Sequence, residues 1–151
     1  MPEPHTIYIA GSSKERQRVR ERMHWIHAQD NLVLTFDWER HIDAVQTVLP
    51  LEDKHLPEAV QRDSAEKDTS AVVHANILWL LIPRTESTGC HTELGIAIGY
   101  MQAMQRNAPT VSKRHIIASG TGKFNIFYTM ADHRFVDDAD AQDWLSKLAG
   151  A

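Results

Sequence analysis

The sequence predicts an α/β protein in which a parallel β-sheet is covered by helices on both faces. Short apolar runs of strand length alternate with longer helical patterns, and that alternation is typical of parallel sheets. The 151 residues match one ordinary domain, with no repeat, low-complexity segment or inter-domain linker. Five strands joined by right-handed crossovers predict a flavodoxin-like (Rossmann-like) doubly wound sheet in a single domain over residues 1–151.

Each predicted strand is a short apolar run with turn-forming residues at its ends. The most apolar run of the chain, NILWLLIP, begins at Asn76 and supplies the third strand. The last run, HRFVD, is predicted to lie at an edge of the sheet. In order, the predicted strands are Thr6 to Ala10, Asn31 to Phe36, the run that begins at Asn76, Arg114 to Ser119, and His133 to Asp137.

Helical patterns fill most of the intervals between these strands. In the first helix, Lys14 to Gln29, the helical period turns Val19, Met23 and Ile26 toward the sheet. After Trp38 the pattern is weak as far as about residue 57, so we expect an unusually long loop there, and such loops are often functional. The other predicted helices are Glu58 to Ala75, Gly89 to Met104, a short helix Lys123 to Ala131, and Ala139 to Leu148.

Composition narrows the kind of partner. The net charge of -4 and pI near 6.1 provide no basic field for a phosphate backbone, so we do not expect duplex nucleic acid to bind. The longest apolar run, about eight residues, is far below the roughly 20 that a membrane span requires, and no signal peptide is evident. The single cysteine, Cys90, agrees with a reducing compartment. We therefore expect a soluble, cytoplasmic protein without membrane association that binds a small molecule or another protein.

Three polar segments follow the first three predicted strands. They are GSS at Gly11 to Ser13, FDWER with Asp37 and Trp38, and RTESTGCHTELG with Ser87 to Gly89. In an open α/β sheet the ligand binds outside the carboxyl ends of the strands. We therefore expect these three segments to form one cleft, in which Trp38 could stack on a base or cover the opening.

Glu93, in the third of these segments, is the first candidate for chemistry. We place it in the first turn of its helix, where free backbone N–H groups and the helix dipole favour the ionised carboxylate. An ionised carboxylate in a cleft could act as a nucleophile. The alternative is a first-turn glutamate that only pairs with those N–H groups.

Asp68 is the second candidate, because helical spacing puts it among small apolar residues that must pack on the sheet. An aspartate is rarely left there without a partner. The alternative is that it only pairs with a buried arginine or hydroxyl. Two carboxyl groups at one cleft suit cleavage of a glycosidic bond through an oxocarbenium-like transition state. The residues on the same helical face are Ala65, Ala71, Val72 and Ala75.

The other polar motifs have more ordinary explanations. GSSK and STG both precede helices, so their N–H groups could hold an anion, although short Ser/Gly turns are more often helix caps. Neither a Walker A loop nor a GxGxxG fingerprint is present. Cys90 and His91 are neighbours in the chain, so their side chains do not face each other on a helix. His24 and His27 lack a third ligand in register, and we expect no metal site.

Three stretches together resemble the nucleoside 2-deoxyribosyltransferase-like superfamily. They are IYIAGSS, DTSAVVHANILWLLIPRTESTGCHTELGIAIG and FNIFYTMADHRF, and the resemblance covers most of the chain. The most specific part combines a helical aspartate, an Ala-Asn pair opening the third strand, a small-residue turn and the ELG sequence. In this chain these are Asp68, Ala75 and Asn76, Ser87 to Gly89, and Glu93 to Gly95.

The resemblance implies a role for each of these residues. Glu93 would be the nucleophile that attacks C1′ of the (deoxy)ribose, Asp68 would handle the base or its leaving-group proton, and Tyr8 would position the glutamate. FNIFY resembles the segment that family members contribute to a neighbour's site, so Asn125 and Phe127 would reach a partner's substrate. The resemblance thus implies a homodimer or a higher homo-oligomer, and it implies no cofactor.

One departure concerns the sugar's 5′ end. Nucleoside-using members carry an acidic residue six positions before the nucleophile, where this chain has Ser87. A serine there resembles the branch that hydrolyses deoxynucleoside 5′-monophosphates, and Lys14 or Arg16 would then help the hydroxyls hold the phosphate. The residues expected to bind substrate are Gly11, Ser12, Ser13, Asp37, Trp38, Ser87, Thr88, Gly89, Asn125 and Phe127.

The leading hypothesis is therefore an enzyme that cleaves or transfers the N-glycosidic bond of a (2′-deoxy)nucleoside or nucleoside 5′-monophosphate. Two alternatives remain open. One is a binding module that senses a nucleotide without turnover. The other is a glycohydrolase that cleaves the nicotinamide bond of NAD, which also uses a catalytic glutamate in a related sheet.

Overall fold

Five parallel strands form the central sheet of the structure, a computed structural model that describes residues 3–110 and 113–150. Their order across the sheet is β2-β1-β3-β4-β5, which confirms the predicted flavodoxin-like, doubly wound α/β fold in one domain. The edge strands β2 and β5 have three residues each. The strands are β1 His5–Ala10, β2 Leu32–Leu34, β3 Ile77–Leu81, β4 His115–Ser119 and β5 His133–Phe135.

Helices cover both faces of this sheet. One face carries α1 and α5, which are joined by side-chain hydrogen bonds, and the opposite face carries α3 and α4. Three 3-10 helices lie at Ser13–Glu15, Asp53–His55 and Ile126–Met130. Within the described ranges, no helix is both long and apolar enough to cross a membrane. The α-helices are α1 Arg16–His27, α2 Trp38–Val48, α3 Glu58–His74, α4 Gly89–Asn107 and α5 Asp138–Gly150.

The core is centred on β3, whose five residues are all buried. This strand pairs with β1 on one side and β4 on the other, so both of its faces are covered by helices. On α1, the predicted inward residues Val19, Met23 and Ile26 are all buried. The helical period of the sequence therefore identified the buried face of this helix correctly.

The expected long loop after Trp38 is wrong, because α2 occupies residues 38–48 and only a short connection with one 3-10 turn follows it. The helix begins where the Asp37 side chain accepts a hydrogen bond from the Arg40 backbone N–H at 2.9 Å. Apolar residues that are buried or partly buried recur at helical spacing along the helix and its C-cap. They are Trp38, which is buried, and Ile42, Val45 and Leu49, which are partly buried.

Two smaller expectations also need correction. The predicted short helix at residues 123–131 is a 3-10 helix of five residues, Ile126–Met130. Ala65, predicted to pack on the sheet with Asp68, is exposed, because the buried face of α3 is confined to its C-terminal part. The exposed first half of α3 therefore extends beyond the packed core.

Arg18 ties α1 to the carboxyl ends of β3 and β4. Its guanidinium makes two 2.8 Å hydrogen bonds to the Asp138 carboxylate and donates to the carbonyl oxygens of Ile82 at 2.7 Å and Ser119 at 3.1 Å. Gly120 has a φ of 103°, and a Cβ there would lie 2.4 Å from the guanidinium, so only glycine fits beside it.

We expect Arg18→Met to lower the free energy of unfolding by about 3 kcal/mol at pH 7, because it removes the guanidinium that binds Asp138 and the carbonyl oxygens of Ile82 and Ser119. Burial opposes the charge on Asp138, but Arg18 and the Ser119 hydroxyl hold the pKa of this carboxyl below its usual range. That stabilisation is lost as pH falls through the lowered pKa, so the difference from wild type should narrow in acid.

Urea unfolding at pH 7 and pH 3 measures both effects. Arg62→Met is the matched control, because Arg62 forms an exposed pair with Glu66 on α3 and should change stability by less than about 0.5 kcal/mol. Equal stability losses for the two variants would contradict the role given to Arg18.

Candidate active site

A cleft of about 470 Å³ opens at the carboxyl ends of β1 and β3. The turn after β1 contributes Gly11 to Lys14, α2 contributes Trp38, α3 contributes Asp68, and the turn into α4 contributes Ser87 to Gly89 together with Glu93. The structure thus brings together residues from all three segments that the sequence analysis assigned to one cleft. It does so because parallel strands end at the same edge of the sheet.

Tyr8 lies beneath the two carboxyl groups of this cleft. It is fully buried in β1, and its hydroxyl donates to Asp68 Oδ1 at 3.3 Å. The same hydroxyl lies next to the Glu93 carboxyl group. Burial and the negative charges of Glu93 and Asp68 raise the pKa of Tyr8, so the phenol stays protonated and serves as a donor.

Glu93 differs from the expectation in both position and charge. Because α4 begins at Gly89, Glu93 lies in the second turn, and the first turn contains no acidic residue. Its Oε2 atom is buried without a hydrogen-bond partner. Burial raises its pKa to about 8, Asp68 adds to the rise, and the Tyr8 hydroxyl opposes it. The expected first-turn, ionised carboxylate is therefore wrong, since the free protein holds a mainly protonated Glu93 at pH 7.

Asp68 faces Glu93 from α3 and is also mostly buried. Burial raises its pKa, whereas the Tyr8 hydroxyl and the nearby His41 act in the opposite direction. Asp68 pairs with a buried hydroxyl, as the alternative interpretation of this residue predicted. Its side chain nonetheless lines the cleft. Tyr8 thus connects two carboxyl groups that both favour holding a proton.

The other end of the cleft has small residues and hydroxyl groups. Ser12 is almost fully buried, and its Oγ accepts the Lys14 backbone N–H at 3.2 Å, so it is a helix cap. Thr88, the residue before α4, makes no capping hydrogen bond with its side chain. The first N–H groups of α4 therefore lack that partner, and Lys14 also lines the cleft.

Three of the residues expected to bind substrate lie outside this cleft. Asp37 caps α2 and approaches His27 at 3.4 Å, and its contact with substrate stays a prediction. Asn125 accepts the Phe127 backbone N–H at 2.9 Å and begins a 3-10 helix, while the Phe127 ring is 56% exposed. The contribution of Asn125 and Phe127 to a neighbour's site stays a prediction.

The anion role considered for Arg16 is also not met. Its guanidinium binds the Glu39 carboxylate at 2.8 Å and the Asp43 carboxylate at 2.5 Å, and it does not line the cleft. The guanidinium of Arg16 is therefore already paired with two carboxylates of α2 and is not free to bind a phosphate. Of the two basic residues considered for the anion, Lys14 alone lines the cleft.

Trp38 forms a fixed part of the cleft wall. Its side chain is only 7% exposed, and the indole Nε1–H donates to the Ile9 carbonyl oxygen at 2.8 Å. Three further residues line the cleft and were not predicted individually: Ile42, Asp53 and Glu86. Glu86 belongs to the third segment that was predicted to form the cleft, and the helical spacing from Trp38 was the signal for Ile42. Nothing in the sequence pattern marked Asp53.

Cys90 and His91 take no part in the cleft. Cys90 is fully buried, and His91 hydrogen-bonds the Tyr128 hydroxyl at 2.8 Å through its Nε2 atom. The two side chains thus have separate surroundings, as their adjacency in the helix predicted. Among residues 3–110 and 113–150, no group of three or more His, Cys, Asp or Glu side chains is arranged to hold a metal ion.

No protein-family model matches the sequence, and no curated protein matches it either. The chemistry of the cleft is therefore the ground on which a function can be proposed. That chemistry consists of two carboxyl groups that share one buried phenol, with backbone N–H groups, hydroxyls and one lysine at the opposite end.

We expect stability to fall as pH rises from about 4.5 to about 8, because folded Glu93 keeps a proton that the unfolded chain has already released. Glu93→Gln is neutral at every pH and should escape this loss. The variant should match wild type near pH 4.5 and exceed its free energy of unfolding by about 4 kcal/mol near pH 8.5.

Urea unfolding across this pH range is the measurement, with Glu66→Gln on the exposed face of α3 as the control. The control should show no such pH-dependent gain. A constant difference between Glu93→Gln and wild type at all pH values would contradict the raised pKa of Glu93.

Proposed function

We propose that this protein is an enzyme that cleaves or transfers the N-glycosidic bond of (2′-deoxy)nucleosides or their 5′-monophosphates. The observation that carries the proposal is the group formed by Tyr8, Asp68 and Glu93 at the base of a cleft of about 470 Å³. Two carboxyl groups with a shared hydrogen-bond donor supply the nucleophile and the proton donor that glycosyl transfer requires.

In the proposed reaction, the Glu93 carboxylate attacks C1′ and forms an ester with the sugar. The C1′–N bond breaks with its electron pair going to the base, and the Asp68 carboxyl group protonates the departing nitrogen. Water or a second base then attacks C1′, the resulting proton returns to Asp68, and Glu93 leaves as a carboxylate. Hydrolysis and transfer thus differ only in the second nucleophile.

The raised pKa values of both carboxyl groups fit this division of work. In the proposed reaction the two carboxyl groups share one proton. When substrate is bound, that proton lies on Asp68, the proton donor, and Glu93 carries the negative charge of the nucleophile. The Tyr8 hydroxyl donates to Asp68 and lies beside Glu93, so it stabilises whichever carboxyl group is ionised. Proton relocation within this group therefore activates the nucleophile.

The far end of the cleft is proposed to bind the 5′ end of the sugar. The uncapped first turn of α4, the hydroxyls of Ser12 and Ser87, and the Lys14 ammonium suit a 5′-phosphate. Glu86 also lines this end, and an acidic side chain suits a 5′-hydroxyl group. Nucleosides and nucleoside 5′-monophosphates are therefore both proposed as substrates.

We expect Glu93→Ala to reduce base release from a mixture of deoxynucleosides and their 5′-monophosphates by at least about a thousandfold, because the covalent step is lost. Chromatography of the free bases measures it, with and without an added acceptor base. Glu66→Ala, which changes an exposed glutamate of α3, should retain full activity.

Normal base release by Glu93→Ala would rule out the mechanism. Stabilisation of wild type by a nucleotide without base release would instead support a sensor module. Release of nicotinamide from NAD in a parallel incubation would favour a glycohydrolase of that substrate.

The proposed assembly is a homodimer or larger homo-oligomer in which the Asn125 segment completes a neighbour's site. The segment around Asn125 exposes several large apolar side chains in the single chain, which supports its burial against another subunit. These side chains, with their exposed fractions, are Phe124 at 74%, Ile126 at 65%, Phe127 at 56% and Met130 at 44%.

We expect inactive Glu93→Ala and inactive Asn125→Ala proteins to recover about a quarter of wild-type activity when unfolded and refolded together in equal amounts. Half of the resulting dimers are mixed, and each mixed dimer has one site free of both substitutions. Base release measures the recovery, and no recovery after confirmed subunit exchange would contradict a shared site.

A further inference from the structure

Glu39 is a buried carboxylate outside the candidate active site. Among the described residues, the buried polar or charged side chains are Ser12, Glu39 and Ser119, so Glu39 alone of these carries a charge. It is 4% exposed and belongs to the first turn of α2. A buried charge is strongly unfavourable unless other groups compensate it, so its partners define its role.

Those partners are two arginines one turn apart on α1. Glu39 Oε1 accepts hydrogen bonds from Arg16 Nη2 at 2.8 Å, from Arg20 Nη2 at 2.5 Å and from Arg20 Nε at 3.2 Å. Arg16 also approaches the Glu39 carbonyl oxygen at 3.4 Å. Residues four apart lie on the same face of a helix, so this carboxylate clamps the start of α2 to one face of α1.

The same turn of α2 forms the wall of the cleft. Trp38 precedes Glu39 in the chain, and its indole is hydrogen-bonded to β1 at the Ile9 carbonyl oxygen. Trp38 and Ile42, one helical turn later, both line the cleft. Beyond them α2 becomes exposed, and Val48 at its end is 78% exposed. The position of α2 therefore depends on contacts made by its first turn.

We propose that Glu39 is a positioning residue, which by binding Arg16 and Arg20 holds α2 against α1 and so fixes the cleft wall formed by Trp38 and Ile42. Its effect on substrate rests on the proposed function, whereas its effect on α2 does not. A displaced wall loosens the contacts that orient a bound substrate, and shifts of about 1 Å are enough to matter.

The test is Glu39→Gln, which retains the size of the side chain but removes its charge. The matched control is Asp43→Asn, because Asp43 binds the same Arg16 but is 54% exposed. Hydrogen exchange by NMR reports on the backbone amides of residues 38–48 and on the Trp38 indole N–H. Steady-state base release reports KM and kcat separately.

For Glu39→Gln we expect at least about tenfold faster exchange in α2 and at the Trp38 indole, with KM about tenfold higher and kcat within about twofold. Asp43→Asn should stay within about twofold of wild type in every measurement, because exposed ion pairs contribute little. A role limited to general stability would lower the active fraction and hence kcat, leaving KM unchanged.

A second variant, Arg20→Gln, tests the same inference if Glu39→Gln does not fold. Arg20→Gln removes two of the three side-chain hydrogen bonds to Glu39 and should change exchange and KM in the same direction by a smaller factor. Unchanged exchange in α2, or faster exchange with unchanged KM, overturns the inference. If wild type releases no base, the proposed function fails, and the exchange at Trp38 still decides the role of Glu39.

Discussion

The hydroxyl group of Tyr8 sets the strongest constraint on this molecule. A phenol that is fully buried in a central strand needs hydrogen-bond acceptors, and it finds them on two different helices. Asp68 comes from α3 and Glu93 from α4, so the phenol links these two helices to β1. It also brings Asp68 and Glu93 into one low-dielectric space, where burial raises the pKa of both and Asp68 raises that of Glu93 further. The Tyr8 hydroxyl oxygen therefore affects both the hydrogen bonding and the proton affinity of Asp68 and Glu93.

Asp138 and Glu93 show how strongly the surroundings of a buried carboxyl group determine its pKa. Asp138 is also largely buried, yet Arg18 binds both of its oxygens and its pKa is lowered. Among the described residues Glu93 forms no ion pair, its Oε2 atom has no hydrogen-bond partner, and its pKa rises to about 8. The first carboxylate stabilises the joint between α1, α5 and the sheet. The second places a carboxyl group with a raised pKa and one unpartnered oxygen at the cleft.

Much of the sheet could be predicted from sequence, because its strands are apolar runs and parallel strands follow a strict rule of handedness. The location of the cleft followed from a second rule, that the binding cleft of an open α/β sheet lies outside the carboxyl ends of its strands. The missed helix α2 has few apolar residues that pack inward, namely Trp38, Ile42 and Val45, spread through a polar background. Its cap, Asp37, was consequently interpreted as a substrate contact. A helix that mainly covers a cleft buries little surface, so its periodic signal is weak.

The charge of Glu93 lay beyond the reach of sequence reasoning for a different reason. The start of its helix at Gly89 was predicted correctly, but Glu93 was assigned to the first turn instead of the second. That assignment put its carboxyl group beside free N–H groups, whereas in the structure it is buried. The residues that control its pKa, Tyr8 and Asp68, come from distant parts of the chain. Local pattern identifies a residue type and an approximate depth, whereas proton affinity depends on neighbours within a few ångströms.

The glycine beside Arg18 has a consequence for recombination between related folds. Arg18 comes from the first crossover and Gly120 from the turn after β4, yet the guanidinium fills the space that a Cβ at position 120 would need. A chimera that takes one of these segments from another doubly wound protein would either clash or leave an open gap at the sheet edge. The two segments therefore have to be exchanged together, although about a hundred residues of chain separate them.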